Sequence, residues 1–150
     1  MYRPKDGILE KIQDYLVSLI EKNTEFRGIP IFTHKQSNIE SIIANAVREG
    51  IGVAILVIPP VPIKIDKNAP GPVFEIIDIQ LKVIENIYTN NSGKSSINIA
   101  EKITSLLHLA KAEVEHWHGY ITCSDTSPWV SEMGDQTNLI TLNFTAMCSL

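Results

Sequence analysis

Cysteine, clustered basic charge and long apolar runs are all scarce in this chain, and each scarcity narrows the field. The two cysteines, Cys123 and Cys148, fit a reducing compartment, where disulfides are rare. They can be neighbours on paired strands or two small side chains filling a core. The 13 Lys and Arg residues are scattered without a run, and against 17 Asp and Glu they leave a formal net charge of −4. That balance lacks the electrostatic footprint of a nucleic-acid binder. The longest apolar run, Ile51 to Ile63, is broken by Gly52, Pro59, Pro60 and Pro62 and is far too short for a membrane span. The opening Tyr2-Arg3-Pro4-Lys5-Asp6 is polar, which is not the pattern of a secretory signal. The expectation is a protein made and folded in the cytosol, with no membrane partner.

Strong catalytic signatures are also missing. Ser124-Asp125-Thr126-Ser127 supplies hydroxyls, but no serine carries the flanking glycines of a nucleophile elbow. Asp125 and Ser127 suit a loop turn instead. Ser92-Gly93-Lys94-Ser95 resembles the end of a phosphate-binding loop, yet Tyr88 stands where that motif needs its first glycine. Without it the backbone cannot wrap a phosphate, and a polar turn with a helix cap is the simpler reading. His116 and His118 are the best metal candidates: on one strand they share a face, with Glu113 or Glu115 nearby. No spacing fixes a third ligand, and two imidazoles on a wet face beside a half-buried Trp117 is the plainer alternative. No cofactor is expected.

What is present is a clear order of elements in 150 residues, enough for one domain with one core. Ile8, Ile12, Tyr15, Leu16, Leu19 and Ile20 make a helical stripe over Gly7–Asn23, with Asp6 as its cap. Residues 28–33 form a short strand, and because Pro30 cannot donate to a ladder this is either an edge strand or the start of a strand. Ser37–Glu49 is a second helix with capping-box spacing at Ser37 and Glu40, a buried stripe of Ile39, Ile42, Ile43, Ala46 and Val47, and Gly50 as its stop. The unbroken apolar stretch Gly52–Ile58 predicts a strand covered on both faces. A Pro-rich exposed loop follows, over about residues 59–72.

From Val73 a long strand alternates. Ile77, Ile79, Leu81 and Val83 point one way, and Asp78, Gln80 and Lys82 the other. The phase blurs at Ile84-Glu85, which suggests a bulge. After an Asn/Ser/Gly turn, Ser96 caps a third helix with the stripe Ile99, Ala100, Ile103, Leu106, Leu107 and Ala110. Val114–Ser124 and Asn138–Cys148 read as two strands, joined by a surface loop over about residues 125–137 that carries Trp129. Trp129 either meets a partner or folds back on the local core. The expected architecture is α+β in the order α-β-α-β-β-α-β-β, with a mostly antiparallel sheet and the helices packed on one face.

The stretch Glu75-Ile76-Ile77-Asp78-Ile79-Gln80-Leu81-Lys82-Val83-Ile84-Glu85-Asn86, the polar turn after it and the helix with Ile99-Ala100-Glu101-Lys102-Ile103 and Leu106-Leu107 resemble phage tail-terminator and tail-completion proteins, nearest to the minor tail proteins of Mu-like phages. The closing strand Leu139–Cys148 fits the same pattern. The resemblance implies a structural protein rather than an enzyme. It would form a homo-oligomeric ring, commonly of six copies, on a finished tail, meet the tail-tube and head-tail connector proteins, and reside in the virion after assembly in the cytoplasm. Asp78, Gln80, Lys82 and Trp129 are then the candidate interface residues. The alternatives are a small α+β binding or adaptor domain of a cellular assembly, and a metal-dependent enzyme using His116 and His118. An exposed Pro-rich segment lying along a neighbouring subunit suits the ring reading, since its backbone has little entropy to lose.

Overall fold

The computed structural model describes residues 7–35, 38–66, 68, 74–114 and 117–148. In chain order its elements are α1 (Ile8–Lys22), a 3₁₀ turn (Thr24–Phe26), β1 (Ile31–Thr33), α2 (Ile39–Arg48), β2 (Val53–Val57), β3 (Val61–Ile65), β4 (Phe74–Asn86), α3 (Ser96–Leu107), β5 (Lys111–Val114), β6 (Trp117–Cys123), β7 (Trp129–Met133) and β8 (Thr137–Cys148). Asp6 and Ser37, expected as helix caps, lie outside the described residues, as does His116.

Two long strands set the frame. β4 and β8 pair antiparallel along most of their length, from Ile76↔Met147 to Asn86↔Thr137. Each is flanked by two half-length strands. β2 covers the C-terminal half of β4 and β3 the N-terminal half. β7 and β6 divide β8 in the same way, and β5 extends the sheet beyond β6. The seam between β2 and β3 is Pro59-Pro60, two residues without an N–H to give to a ladder. The sheet is mixed, because β1 runs parallel to β2 while the other pairs are antiparallel.

The alternation of β4 and β8 decides where the core lies. Ile77, Ile79, Leu81 and Val83 stand opposite Ala146, Phe144, Leu142 and Ile140, and all eight are buried. α1 and α3 close this face. Ile8, Ile12, Leu16 and Ile20, one helical turn apart, are buried, as are Ile99, Ala100, Ile103 and Leu107. Trp117 seals one end: its ring lies over Gly119 and its indole N–H donates to the Phe74 carbonyl at 3.3 Å.

The α+β class holds, and several finer expectations are corrected. The helices do not share one face. α2 lies on the side opposite α1 and α3, against Ile84 and beside Ala54, while Val53, Ile55 and Val57 face the main core. β2 is therefore covered on both sides, as its apolar sequence predicts. The stretch expected as a Pro-rich loop contains β3, and the loop expected at 125–137 contains β7. The strand expected over Val114–Ser124 is β6, Trp117–Cys123, while Val114 ends a separate strand β5 that pairs with it, Val114 opposite Trp117. No bulge interrupts β4 at Ile84-Glu85; its register runs straight through, and the irregularity lies against β3. Ser95, not Ser96, caps α3, accepting from Asn98 N–H at 3.2 Å, and the helix ends at Leu107, before Ala110.

Candidate interaction surface

The second face of the sheet carries the residues singled out on β4. Asp78, Gln80 and Lys82 project there at every other position, half-buried among their cross-strand neighbours. Asp78 sits opposite Thr145 and Val61, and Thr145 in turn opposite Thr122, with 3.3 Å between the two threonine hydroxyl oxygens. Gln80 faces Asn143, whose side-chain carbonyl accepts its amide at 3.1 Å. Lys82 lies between Thr141 and Leu56. These pairs form a polar band across the middle of the face.

Apolar groups bound the band at both ends. At one end Ile76 stands beside Met147 and Met147 beside Tyr120, the last two exposed. β3 extends that end with Val61, Ile63 and Ile65, which are 56%, 58% and 41% exposed. At the other end α2 leans over the sheet without closing on it. Of its apolar stripe only Val47 is fully buried, while Ile39, Ile42, Ile43 and Ala46 stay half-buried. An open pocket of about 670 Å³ remains, lined by Ile43, Ala44, Val47 and Ile84 and by the polar residues Glu40, Arg48, Asn86, Thr89, Gln136 and Thr137. Neither Glu40 nor Arg48 has an ion-pair partner among the described residues.

The other sequence candidates are used inside the chain. Trp129 is half-buried on β7, and its indole N–H donates to Thr104 Oγ1 on α3 at 3.0 Å, so of its two readings the structure shows the ring folded back on the local core. In the turn that resembles a phosphate loop, Lys94 donates to the Glu25 carbonyl and lies 3.1 Å from the Glu25 carboxylate. That bond, aided by the charge of Lys102, holds the Glu25 carboxyl below its ordinary range. Ser92 Oγ bonds Asn90 and the Lys94 carbonyl. The turn is thus closed on itself.

His118 is exposed on β6 opposite Glu113. Its proposed partner His116 lies outside the described residues. Among the described residues no three His, Cys, Asp or Glu side chains gather to hold a metal. Cys123 pairs with Phe144, and Cys148 with Gly119, four positions further along, so the two cysteines are not cross-strand neighbours.

One group escaped sequence reasoning altogether. Glu85 is 6% exposed and sits at the N-terminus of α3. Its carboxylate accepts from Ser96 N–H at 3.1 Å, Ser96 Oγ at 2.9 Å, Asn90 Nδ2 at 2.6 Å and Asn138 Nδ2 at 3.4 Å. Burial pushes its carboxyl up, but the bonds from Asn90, Ser96 and Asn138 outweigh burial and hold it below the usual range. The blurred alternation at Ile84-Glu85 was its signal: a charged residue at a core-facing position calls for partners, not only for a bulge.

No family model matches the chain, and no curated protein matches it. One solved structure superposes over 99% of this chain and 98% of its own, with a TM-score of 0.58 at 13% identity. That protein's name states no activity, and at this identity the likeness shows a shared fold alone. Among the described residues no helix is long and apolar enough to cross a membrane.

Proposed function

We propose that this chain is a structural protein of a phage or prophage tail, resembling a tail terminator, which assembles as a homo-oligomeric ring and meets the tail tube on one side and head-tail connector proteins on the other. The observation that carries the reading is the uncovered apolar strand. Val61, Ile63 and Ile65 all face water in a lone copy, and burying one such side chain is worth about 1.5–3 kcal/mol. A strand of this kind beside an open polar sheet face suits an assembly surface. The order of elements and the resemblance of β4, α3 and β8 to tail-terminator proteins supply the rest of the support. A closed ring needs two different patches per copy, and this molecule carries a projecting strand and a recessed pocket. The second reading, a small α+β binding or adaptor domain, is favoured by the pocket taken alone, since about 300–1,000 Å³ is the size that takes a compact ligand.

Size exclusion with light scattering across salt and protein concentration tests the proposal. Six copies of the 16.7 kDa chain make a discrete species of roughly 100 kDa, as cyclic closure requires. A monomer at every concentration up to about 1 mM, where even weak association of about −4 kcal/mol is half complete, overturns it.

A further inference from the structure

We infer that His34 is a pH-sensitive latch: neutral, it ties the end of β1 to the buried amide of Gln13 on α1, and protonated, it lets go and turns to the carboxylates beside that amide. Gln13 interrupts the apolar stripe of α1 and is fully buried. Its Nε2 donates to the Val57 carbonyl oxygen, at the end of β2, at 2.9 Å. The second hydrogen of the same nitrogen faces His34 Nδ1 at 3.2 Å. Chemistry fixes which way the amide points. Exchanging its nitrogen and oxygen would set Oε1 2.9 Å from a carbonyl oxygen, acceptor against acceptor. An amide N–H only donates, so His34 Nδ1 is bare and the ring proton sits on Nε2. The contact therefore exists only with the neutral imidazole.

Protonation places an N–H at Nδ1 and sets donor against donor. Gln13 cannot follow by turning over, because the Val57 carbonyl would lose its donor. Oε1 already has no hydrogen-bond partner, so the amide has no other bond to fall back on. The His34 residue is exposed, so its ring can leave.

The charges around His34 supply its second position. On α1, Glu10 and Asp14 flank Gln13, and both hold the Lys35 ammonium, at 3.8 and 2.9 Å. Lys35 follows His34 in the chain, so an imidazolium at position 34 meets two carboxylates against one ammonium. β2 carries no charged residue, and α2 brings Glu40 in its first turn and Arg48 in its last. The bond to Asp14 keeps Lys35 charged to higher pH than usual, so its tie to α1 stays constant while the His34 tie switches.

The latch holds a sheet edge. β1 is three residues long, half-buried, and pairs with β2 alone. So short a ladder depends on the side chains that pin its end. Imidazole is the side chain whose ordinary change of charge falls between pH 5 and 8. A local change of charge of this kind acts by biasing an element with two arrangements, here the end of β1 from which the chain runs on to α2.

The test uses the full chain as wild type, His34→Phe and Lys35→Met. Nitrogen NMR of the histidine rings at pH 8 reads the tautomer, with His34→Phe assigning the His34 signals. Hydrogen exchange at pH 8 and pH 5, corrected for the intrinsic rate, reads protection of the Gln13 side-chain amide and of the backbone N–H groups of β1, with β4 and β8 as reference. In wild type His34 should carry its proton on Nε2 at pH 8. Protection at Gln13 and β1 should fall about 5- to 10-fold at pH 5, the equilibrium worth of one neutral hydrogen bond. His34→Phe should show the low value at both pH values. Lys35→Met should be less protected throughout and keep the step. A proton on Nδ1 at pH 8, protection at Gln13 and β1 that is the same at both pH values, a step that survives in His34→Phe, or a fall that β4 and β8 share each overturns the latch.

Discussion

Replacing Glu85 by Gln keeps the shape of the side chain and removes its charge, which makes it a direct probe of the buried network at the start of α3. In the native protein one oxygen accepts from Ser96 N–H and Oγ and from Asn138, and the other from Asn90. The amide nitrogen of glutamine must take one of those places and meet a donor with a donor. One hydrogen bond to a charged acceptor is lost outright, about 1.5–3 kcal/mol, together with the favourable charge at a helix N-terminus, about 0.3–1 kcal/mol. Glu85→Gln should therefore lower stability by about 2–4 kcal/mol near pH 7. The pH dependence has a definite sign. The folded carboxyl titrates below its ordinary range, so its stabilisation is fully present above the unfolded value of about 4.3 and is lost as pH falls through the lower folded value. Urea unfolding followed by circular dichroism at pH 7, and again in acid well below pH 4, measures both. The gap between wild type and variant should be large at pH 7 and shrink in acid. A gap under about 0.5 kcal/mol at pH 7, the ordinary scatter of surface changes, or a gap of the same size at both pH values, would refute the assignment of Glu85 as the anchor of this network.

Two further substitutions test the packing around the tryptophans. A Cβ at Gly119 would lie 2.3 Å from the Trp117 ring and 2.5 Å from the Met147 carbonyl oxygen; Gly119→Ala should cost about 1–3 kcal/mol by overpacking, read from the thermal midpoint and a change in near-ultraviolet circular dichroism. Thr104→Val keeps the shape of the side chain and removes the acceptor of the Trp129 indole N–H; it should cost about 0.5–1.5 kcal/mol and shift tryptophan emission to the red as the ring loosens.

Apart from β2, marked by its unbroken apolar run, the elements most legible in the sequence are those whose pattern comes from a single neighbouring layer. α1, α3, β4 and β8 each have one dry and one wet side, so period alone marks them. The missed elements depend on information that no period carries. β3 spaces Val61, Ile63 and Ile65 two apart in the sequence, but Pro62 and the prolines on either side argue for a loop, and the strand pairs at an edge only with two shifts of register. β5 is missed because Lys111–Val114 directly follows the third helix and is only four residues long, too short for its alternation to stand out. The face taken by α2 follows from the handedness of its crossover between the parallel strands β1 and β2, and an apolar stripe looks the same whichever face it covers. At the candidate surface, Asp78, Gln80 and Lys82 were legible as one face of β4. The pocket was not, because it exists only where a helix stops short of full contact with a sheet.

The split of the sheet also separates stability from interaction. Glu85, Gly52 and the turn after β4 cluster at one end of the long strands, where Gly52, at φ +89, lies so close to Asn90 that a Cβ would come within 2.4 Å of its backbone. That end is dense with directional contacts and closely packed backbone. At the other end β3 and the exposed Tyr120 and Met147 make few demands on the fold. Surface positions of that kind tolerate substitution within about 0.5 kcal/mol. A charged substitution at Ile63 should therefore leave the fold's stability unchanged, while Glu85 reports on what the chain needs in order to stand. A scan along β4 should show the stability cost of substitutions on the open face rising from Ile76 toward Ile84, because α2 and the turn after β4 pack against only that end of the strand.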